Sequence, residues 1–294
     1  ARGGHRAVIC ERTRPSGEFS GLRGALMRPL IRRYYPRASV VVANSEGVKA
    51  DLAANFGVPA GKIKVIYNGC DTAAIAAAAA APLPPGWNAV FARPVIITSG
   101  RLTAAKGQWH MIRAFALAKK ERPDAALVLL GDGELRERLA ALAAGLGLAV
   151  SDGEPRPGAD VYFAGFRQDL YAFIARARIF VFTSLWEGFP NALLEAMACG
   201  TPVFSSDCDA GPREILSPGG ADPAVYGGLL PVPSGRWAAP DAAPEAAEQA
   251  WGRAMSEELD PPEGPARRSA ACRARAADFG MDKAELAWKA LLTT

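Results

Sequence analysis

Between Val95 and Leu230 short apolar runs recur with room for one helix between most neighbouring pairs. The runs are Val95–Thr98, Ala126–Leu130, Val161–Phe163, Ile179–Thr183, Val203–Ser205 and Gly228–Leu230. Helical stretches fall at Gly107–Lys119, Glu134–Ala144, Leu170–Ala175, Asn191–Ala198 and Gly211–Leu216. Strands joined through helices pair in parallel, so an α/β unit with a parallel sheet is expected. Ser151–Ala159 reads as a loop insertion and Pro231–Pro240 as another loop. Helices near Ala243–Met255, Ala266–Phe279 and Met281–Leu292 close the chain.

The front of the chain repeats the pattern on a smaller scale. Ala7–Cys10, Val40–Ala43 and Lys64–Tyr67 read as strands. Leu22–Tyr35 reads as a helix, with Leu26, Met27, Leu30, Ile31 and Tyr34 on one side and Arg28 and Arg32 opposite. Pro29 is expected near its start or at a kink, because proline lacks the amide that a helix interior needs. Ser45 is placed to cap a further helix that ends near Gly57. Asn68-Gly69 is a turn signal. Thr72–Pro85 is almost wholly alanine and proline and reads as a linker with a helical patch. The expected division is 1–70 for one α/β unit, 71–86 for the linker, 87–262 for a second unit and 263–294 for terminal helices.

Half of the 294 residues are apolar, enough to bury the cores of about two domains. Residues 1–37 hold nine arginines and two acids, a balance of +7 within a net charge of +4. Basic charge gathered at one end calls for an anionic partner. No recognised nucleic-acid motif accompanies it, so phosphates or an acidic membrane face are expected instead. The five cysteines are scattered, with no Cys-x-x-Cys pair, which fits a reducing, cytoplasmic setting. No apolar run approaches the roughly 20 residues that span a bilayer. His5 and His110 are too few for a histidine-rich metal cluster.

The chemistry gathers around Trp186–Glu195. Glu187 and Glu195 stand eight residues apart, the first in a loop after a strand and the second on a helix. Pro190 suits a first helical position, which leaves the amides of Asn191, Ala192 and Leu193 free at the positive end of a helix dipole. A strand, a glycine-bearing turn and a helix start make a site for phosphate. Ser99-Gly100-Arg101 ends another strand, with Lys106 opening the next helix, so both cations fall at the same sheet edge. Arginine offers a planar fork to phosphate and lysine a point charge.

Glu187-Gly188-Phe189 followed by Glu195 resembles the paired-glutamate motif of the retaining glycosyltransferases of family 4. Ser99-Gly100-Arg101-Leu102 with Lys106-Gly107, Gly131-Asp132-Gly133 and Val65-Ile66-Tyr67-Asn68-Gly69 are similar to that family's other motifs, in order, over roughly Val40 to Leu216. The resemblance implies the GT-B fold, two Rossmann-like domains with parallel sheets. Family members carry an earlier strand with a glycine-rich loop that has no counterpart here, so the first domain is expected to be incomplete. The implied donor is a nucleoside-diphosphate sugar and the acceptor a glycan or lipid-linked glycan of envelope polysaccharide assembly. No metal and no other cofactor is implied. Arg101 and Lys106 are assigned to the donor diphosphate and Glu195 to the ribose hydroxyls. Glu187 is assigned to the donor sugar, with the backbone of Gly188 and Phe189. Gly100, Gly165 and Phe166 are expected to line the donor pocket, Gly165 and Phe166 beside the base. A family histidine in the first domain has only His5 as a candidate, in surroundings that do not match. Glu11-Arg12-Thr13-Arg14-Pro15 is similar to a segment of members that build lipid-linked glycans, and the arginine-rich start is expected to meet the inner membrane face. Two rivals remain at this point: a sugar-nucleotide epimerase of the same shape, and a non-catalytic nucleotide-sugar binding fragment.

Overall fold

The computed structural model describes residues 6–259 and 265–293. His5 and the expected boundary at 262–263 lie outside the described residues. Strands β1 (Val8–Glu11), β2 (Val40–Ala43) and β3 (Ile63–Val65) form a parallel sheet in the order β1-β2-β3. A second parallel sheet holds β4 (Val95–Ser99), β5 (Ala126–Leu130), β6 (Val150–Asp152), β7 (Val161–Gly165), β8 (Ile179–Phe182), β9 (Val203–Ser206) and β10 (Gly227–Leu230). Its spatial order is β10-β9-β8-β4-β5-β7-β6. The central strands β4, β5 and β8 are buried along their whole length, which is why they read as continuous apolar runs rather than alternating ones.

Strand order reverses at β4, which pairs with β5 on one side and β8 on the other. A crevice therefore opens beyond the carboxyl ends of these strands, the place where open α/β sheets take ligands. The loop after β4 begins with Gly100 and Arg101. The segment after β8 carries Glu187 and then the helix Asn191–Cys199.

Several elements differ from expectation. The first two residues of the supposed insertion, Ser151 and Asp152, form with Val150 an edge strand paired to β7, too short for a periodic signal. A helix at Trp87–Phe91 precedes β4 and buries Trp87 against Tyr162 and Phe173. β3 ends at Val65, before Ile66 and Tyr67. The linker patch is a helix, Thr72–Ala79, capped by Asp71, whose carboxylate accepts the Ala74 amide at 3.0 Å.

The helix Gly21–Tyr34 runs on through Pro29, and its faces are reversed from the sequence reading. Gly24 and Ile31 are buried, while Leu22, Leu26, Leu30 and Tyr34 point to solvent. Arg28 instead donates to the carbonyls of Phe19 at 2.9 Å and Ser16 at 2.7 Å, and Arg32 to that of Asn55 at 3.0 Å. These carbonyls belong to a short helical turn, Pro15–Glu18 with its cap Phe19, and to the last turn of the helix Glu46–Phe56, where no further amide follows to take them, and the long side chains lie along the protein to reach them.

The two sheets meet closely. Ser45 accepts the Val48 amide and so caps the helix Glu46–Phe56 from within its own domain. Glu214, from the second domain, accepts the Glu46 and Gly47 amides at 2.8 and 2.9 Å and the Tyr67 hydroxyl at 2.9 Å. A Cβ on Gly47 would lie 2.7 Å from Ala210, so no larger residue fits there without opening the contact. Burial, then the charge of Glu214, push the Tyr67 phenol well above its ordinary pKa and keep it a donor. The last helix, Met281–Thr293, crosses back and packs Ala287, Trp288 and Leu291 against Val40, Val42 and Ile66.

Replacing Glu214 by alanine leaves two helix amides and a phenol without their acceptor. A loss of about 1–3 kcal/mol is expected at neutral pH. Urea unfolding measures it, and a change below about 0.3 kcal/mol would contradict the capping role.

Candidate active site

At the switch point lies a cavity of about 410 Å³. Its walls are Ser99, Gly100 and Arg101 after β4, Gly131 and Asp132 after β5, Phe166 and Arg167 after β7, and Ala192 and Glu195 on the helix Asn191–Cys199. A Cβ on Gly131 would run into the carbonyl of Gly100, and its φ of +126° is one that side chains resist. Glycine there lets the two loops touch. Gln108 donates to the Arg101 carbonyl at 2.8 Å and steadies that loop.

The cavity's charged groups are in different states. Arg101 is exposed, and its side chain has no partner among the described residues. Glu195 likewise has none, and burial alone raises its carboxyl above the ordinary value. Lys106 and Glu187 are paired with one another, Nζ to Oε1, at 2.6 Å, with only 23% and 11% of their side chains exposed. The Lys106 ammonium also lies 4.9 Å from the centre of the Phe182 ring. Its Cε passes 3.8 Å from the position a Cβ would take on Gly100, so the pair borders the cavity. The acid and the cation that sequence alone assigns to two separate parts of a donor hold each other here.

Pro190 is the residue before the helix rather than its first turn, and its carbonyl accepts the Leu193 amide at 3.1 Å. The amides of Asn191 and Ala192 have no acceptor among the described residues, but that of Leu193 is used. Four expected lining residues sit elsewhere. Leu193 is in the core. Phe189 packs between Tyr67 and Phe279, 5.2 and 5.4 Å between ring centres. Gly165 turns its carbonyl to the Gly131 amide at 2.7 Å and leaves the lining to Phe166. Gly188 is tight against the first domain, where a Cβ would strike the Arg12 carbonyl. Its missing side chain serves domain contact. Arg167, which the sequence places beside the base with Gly165 and Phe166, does line this wall and is clamped by both oxygens of Asp169 at 2.8 Å. Gly131 and Asp132, expected to serve a turn first and line the pocket second, do both.

The helix tip is a shared wall. Asn191 borders a cavity of about 590 Å³ at the carboxyl ends of β1 and β2, lined also by Arg12, Asn44, Asn68 and Trp288. Asn68 reaches across to donate to the Asn191 side chain at 2.8 Å.

Two groupings invite a metal and fit one poorly. His110, Glu245 and Glu248 lie together, but Glu248 accepts from His110 at 2.8 Å and from Arg113 at 3.0 and 3.1 Å, and His110 Nε2 accepts the Gly235 amide at 3.1 Å. Burial works against the Glu248 carboxylate, yet those hydrogen bonds hold its pKa below the ordinary value. The cluster pins the loop before the helix Ala246–Leu259. Asp207-Cys208-Asp209 is an Asp-x-Asp spacing, against the expectation that the chain holds none. Its carboxylates pair with Arg213 and Arg14.

The family model Glycosyl transferases group 1 matches residues 87–260, and Glycosyltransferase Family 4 matches residues 5–74. An uncharacterized glycosyltransferase of Methanocaldococcus jannaschii is 32% identical over 213 residues, 72% of this chain and 50% of its own length. The N-acetylgalactosamine-N,N'-diacetylbacillosaminyl-diphospho-undecaprenol 4-alpha-N-acetylgalactosaminyltransferase of Campylobacter jejuni is also 32% identical over 213 residues, 53% of its length. This chain thus spans about half the length of the curated relatives it matches. The structure of Anabaena HepE in complex with UDP and glucose superposes with a TM-score of 0.72 at 24% identity, covering 98% of this chain and 71% of that one. The fold is GT-B, with mixed α/β architecture and parallel sheets.

Because the folded state raises the Glu195 pKa, it binds that proton more tightly than the unfolded chain does. The stability linked to that proton is complete below the unfolded value of about 4.3 and lost as pH rises through the folded value. Glu195→Gln should therefore melt higher than the parent at pH 7–8 in the absence of ligand, and the difference should vanish below about pH 4. Thermal unfolding across pH tests this, and a glutamine variant less stable at pH 7–8 would refute it.

Proposed function

The chain belongs to the group 1 glycosyl transferases, and from that premise we propose that it carries a retaining hexosyltransferase activity from a nucleoside-diphosphate sugar to an acceptor hydroxyl. One observation carries the reading: an arginine without a partner among the described residues, the helix-start residue Ala192 with its amide free, and an unpaired, largely buried carboxylate border one cavity at the switch point. Negative charge grows on a diphosphate as the sugar bond breaks. Arg101 and the Ala192 amide at the helix start are already in place for it, so they stabilise the transition state more than the ground state. Glu195 takes the ribose hydroxyls, as a carboxylate with free lone pairs suits a vicinal diol. Phe166 and Arg167 flank the base. Lys106 joins the diphosphate and Glu187 the donor sugar once their mutual pairing is given up. The roles need no metal.

The acceptor enters on the other side of the helix tip, from the cavity bounded by Arg12, Asn68 and Trp288. We infer a lipid-linked acceptor from two features. The Campylobacter relative is named for transfer to a diphospho-undecaprenol-linked glycan. The helix Gly21–Tyr34 also presents Leu22, Leu26, Leu30 and Tyr34 outward beside Arg23 and Arg33, a combination that suits an anionic membrane face. Among the described residues no helix is long and apolar enough to cross a membrane, so such contact would be peripheral.

Assays with a panel of sugar nucleotides and lipid-linked acceptors test the reading. Arg101→Ala should lower turnover by about two to three orders of magnitude, the scale of one lost charge stabiliser. Donor consumed without acceptor would favour an epimerase, and binding without turnover a binding fragment. In vesicle flotation, attachment should require anionic lipid and fall with Leu26→Glu. Attachment indifferent to both would remove the membrane from the proposal.

A further inference from the structure

The Lys106–Glu187 pair poses a problem for any donor. A diphosphate that recruits Lys106 strips Glu187 of its partner, and Lys106 is the cation paired with Glu187 among the described residues. With 11% of its side chain exposed, Glu187 has little water to turn to. Among the described residues no second cation is paired with it. The buried Cys208 thiol feels the negative charge of Glu187 and is pushed up to about 12, by burial first and that charge second. An intact sugar nucleotide solves the problem, since its sugar hydroxyls are donors for the abandoned carboxylate. A nucleoside diphosphate without sugar does not. It must compete with Glu187 for Lys106.

Resting on the donor site read above, we propose that Glu187 discriminates the intact donor from the spent nucleotide and drives release of the latter. In the empty site it neutralises Lys106. With donor bound it turns to the sugar hydroxyls and frees Lys106 for the diphosphate. When the sugar has moved to the acceptor, Glu187 recaptures Lys106 and loosens the remaining nucleoside diphosphate. Phe182 keeps the ammonium within reach of both positions. Arg101, which has no carboxylate partner, holds the diphosphate in both stages.

Isothermal titration calorimetry of the full chain with UDP, GDP and their hexose derivatives tests the proposal. Glu187→Gln should bind the free nucleoside diphosphate about three- to tenfold more tightly, the size of a partly shielded ion pair, and the sugar nucleotide no more tightly. In a Lys106→Met background the same glutamine change should leave nucleoside-diphosphate affinity unaltered. Glu195→Gln, which neutralises the other acid, should not tighten it. If the glutamine variant does not fold, Glu187→Asp carries the test in the same direction, because the shorter arm withdraws the carboxylate from Nζ. Unchanged or weaker affinity in Glu187→Gln overturns the proposal. Equal tightening with and without Lys106 overturns it too, since it would reflect general repulsion. A parent chain that binds neither nucleotide nor sugar nucleotide overturns the donor site itself, a separate outcome.

Discussion

One carboxylate holds the frame on which the site is built. Glu214 takes the first two amides of the helix Glu46–Phe56 and the Tyr67 hydroxyl, so the second domain completes a cap that the first leaves half made. Helix starts leave amides that must find acceptors, and a carboxylate there also meets the positive end of the dipole. The same short helix, Pro212–Leu216, begins at Gly211, where a Cβ would lie 2.5 Å from Pro190. Cap, Gly211 turn and Gly188 turn thus form one stack. Its close contacts leave the loop bearing Glu187 little freedom to shift against the first domain.

On that frame the two acids of the central motif are kept apart in kind. Glu187 is neutralised by Lys106 at the cavity's border, while Glu195 is desolvated and unpaired. An unpaired carboxylate in partial burial destabilises the empty protein, and a ligand with two vicinal hydroxyls relieves that cost. The site is therefore readied by withholding partners from one acid and lending one to the other.

Much of the fold was legible in the sequence. Strands buried on both faces announced themselves as apolar runs, and the alternation with helices implied parallel pairing. What stayed hidden were elements decided by neighbours. Three residues of β6 become a strand only because β7 offers an edge. The helix Gly21–Tyr34 has leucines on its outer side and arginines along its inner edge because carbonyls of Phe19, Ser16 and Asn55 wait beneath it. A hydrophobic-face argument assumes that apolar means inward and does not see those acceptors.

The same line runs through the site. Sequence by itself determined which groups stand at which strand ends: Arg101 after β4, Glu187 after β8, and Glu195 one turn into a helix whose amides start free. Residue types and spacing suffice there, since a strand end and a helix start have fixed local geometry. Tertiary structure alone decided the partnerships. It gave Gly188 to the Arg12 carbonyl, Phe189 to an aromatic cluster and Lys106 to Glu187. Each of these is a contact between segments far apart in the chain, and no local propensity carries information about which distant group will arrive.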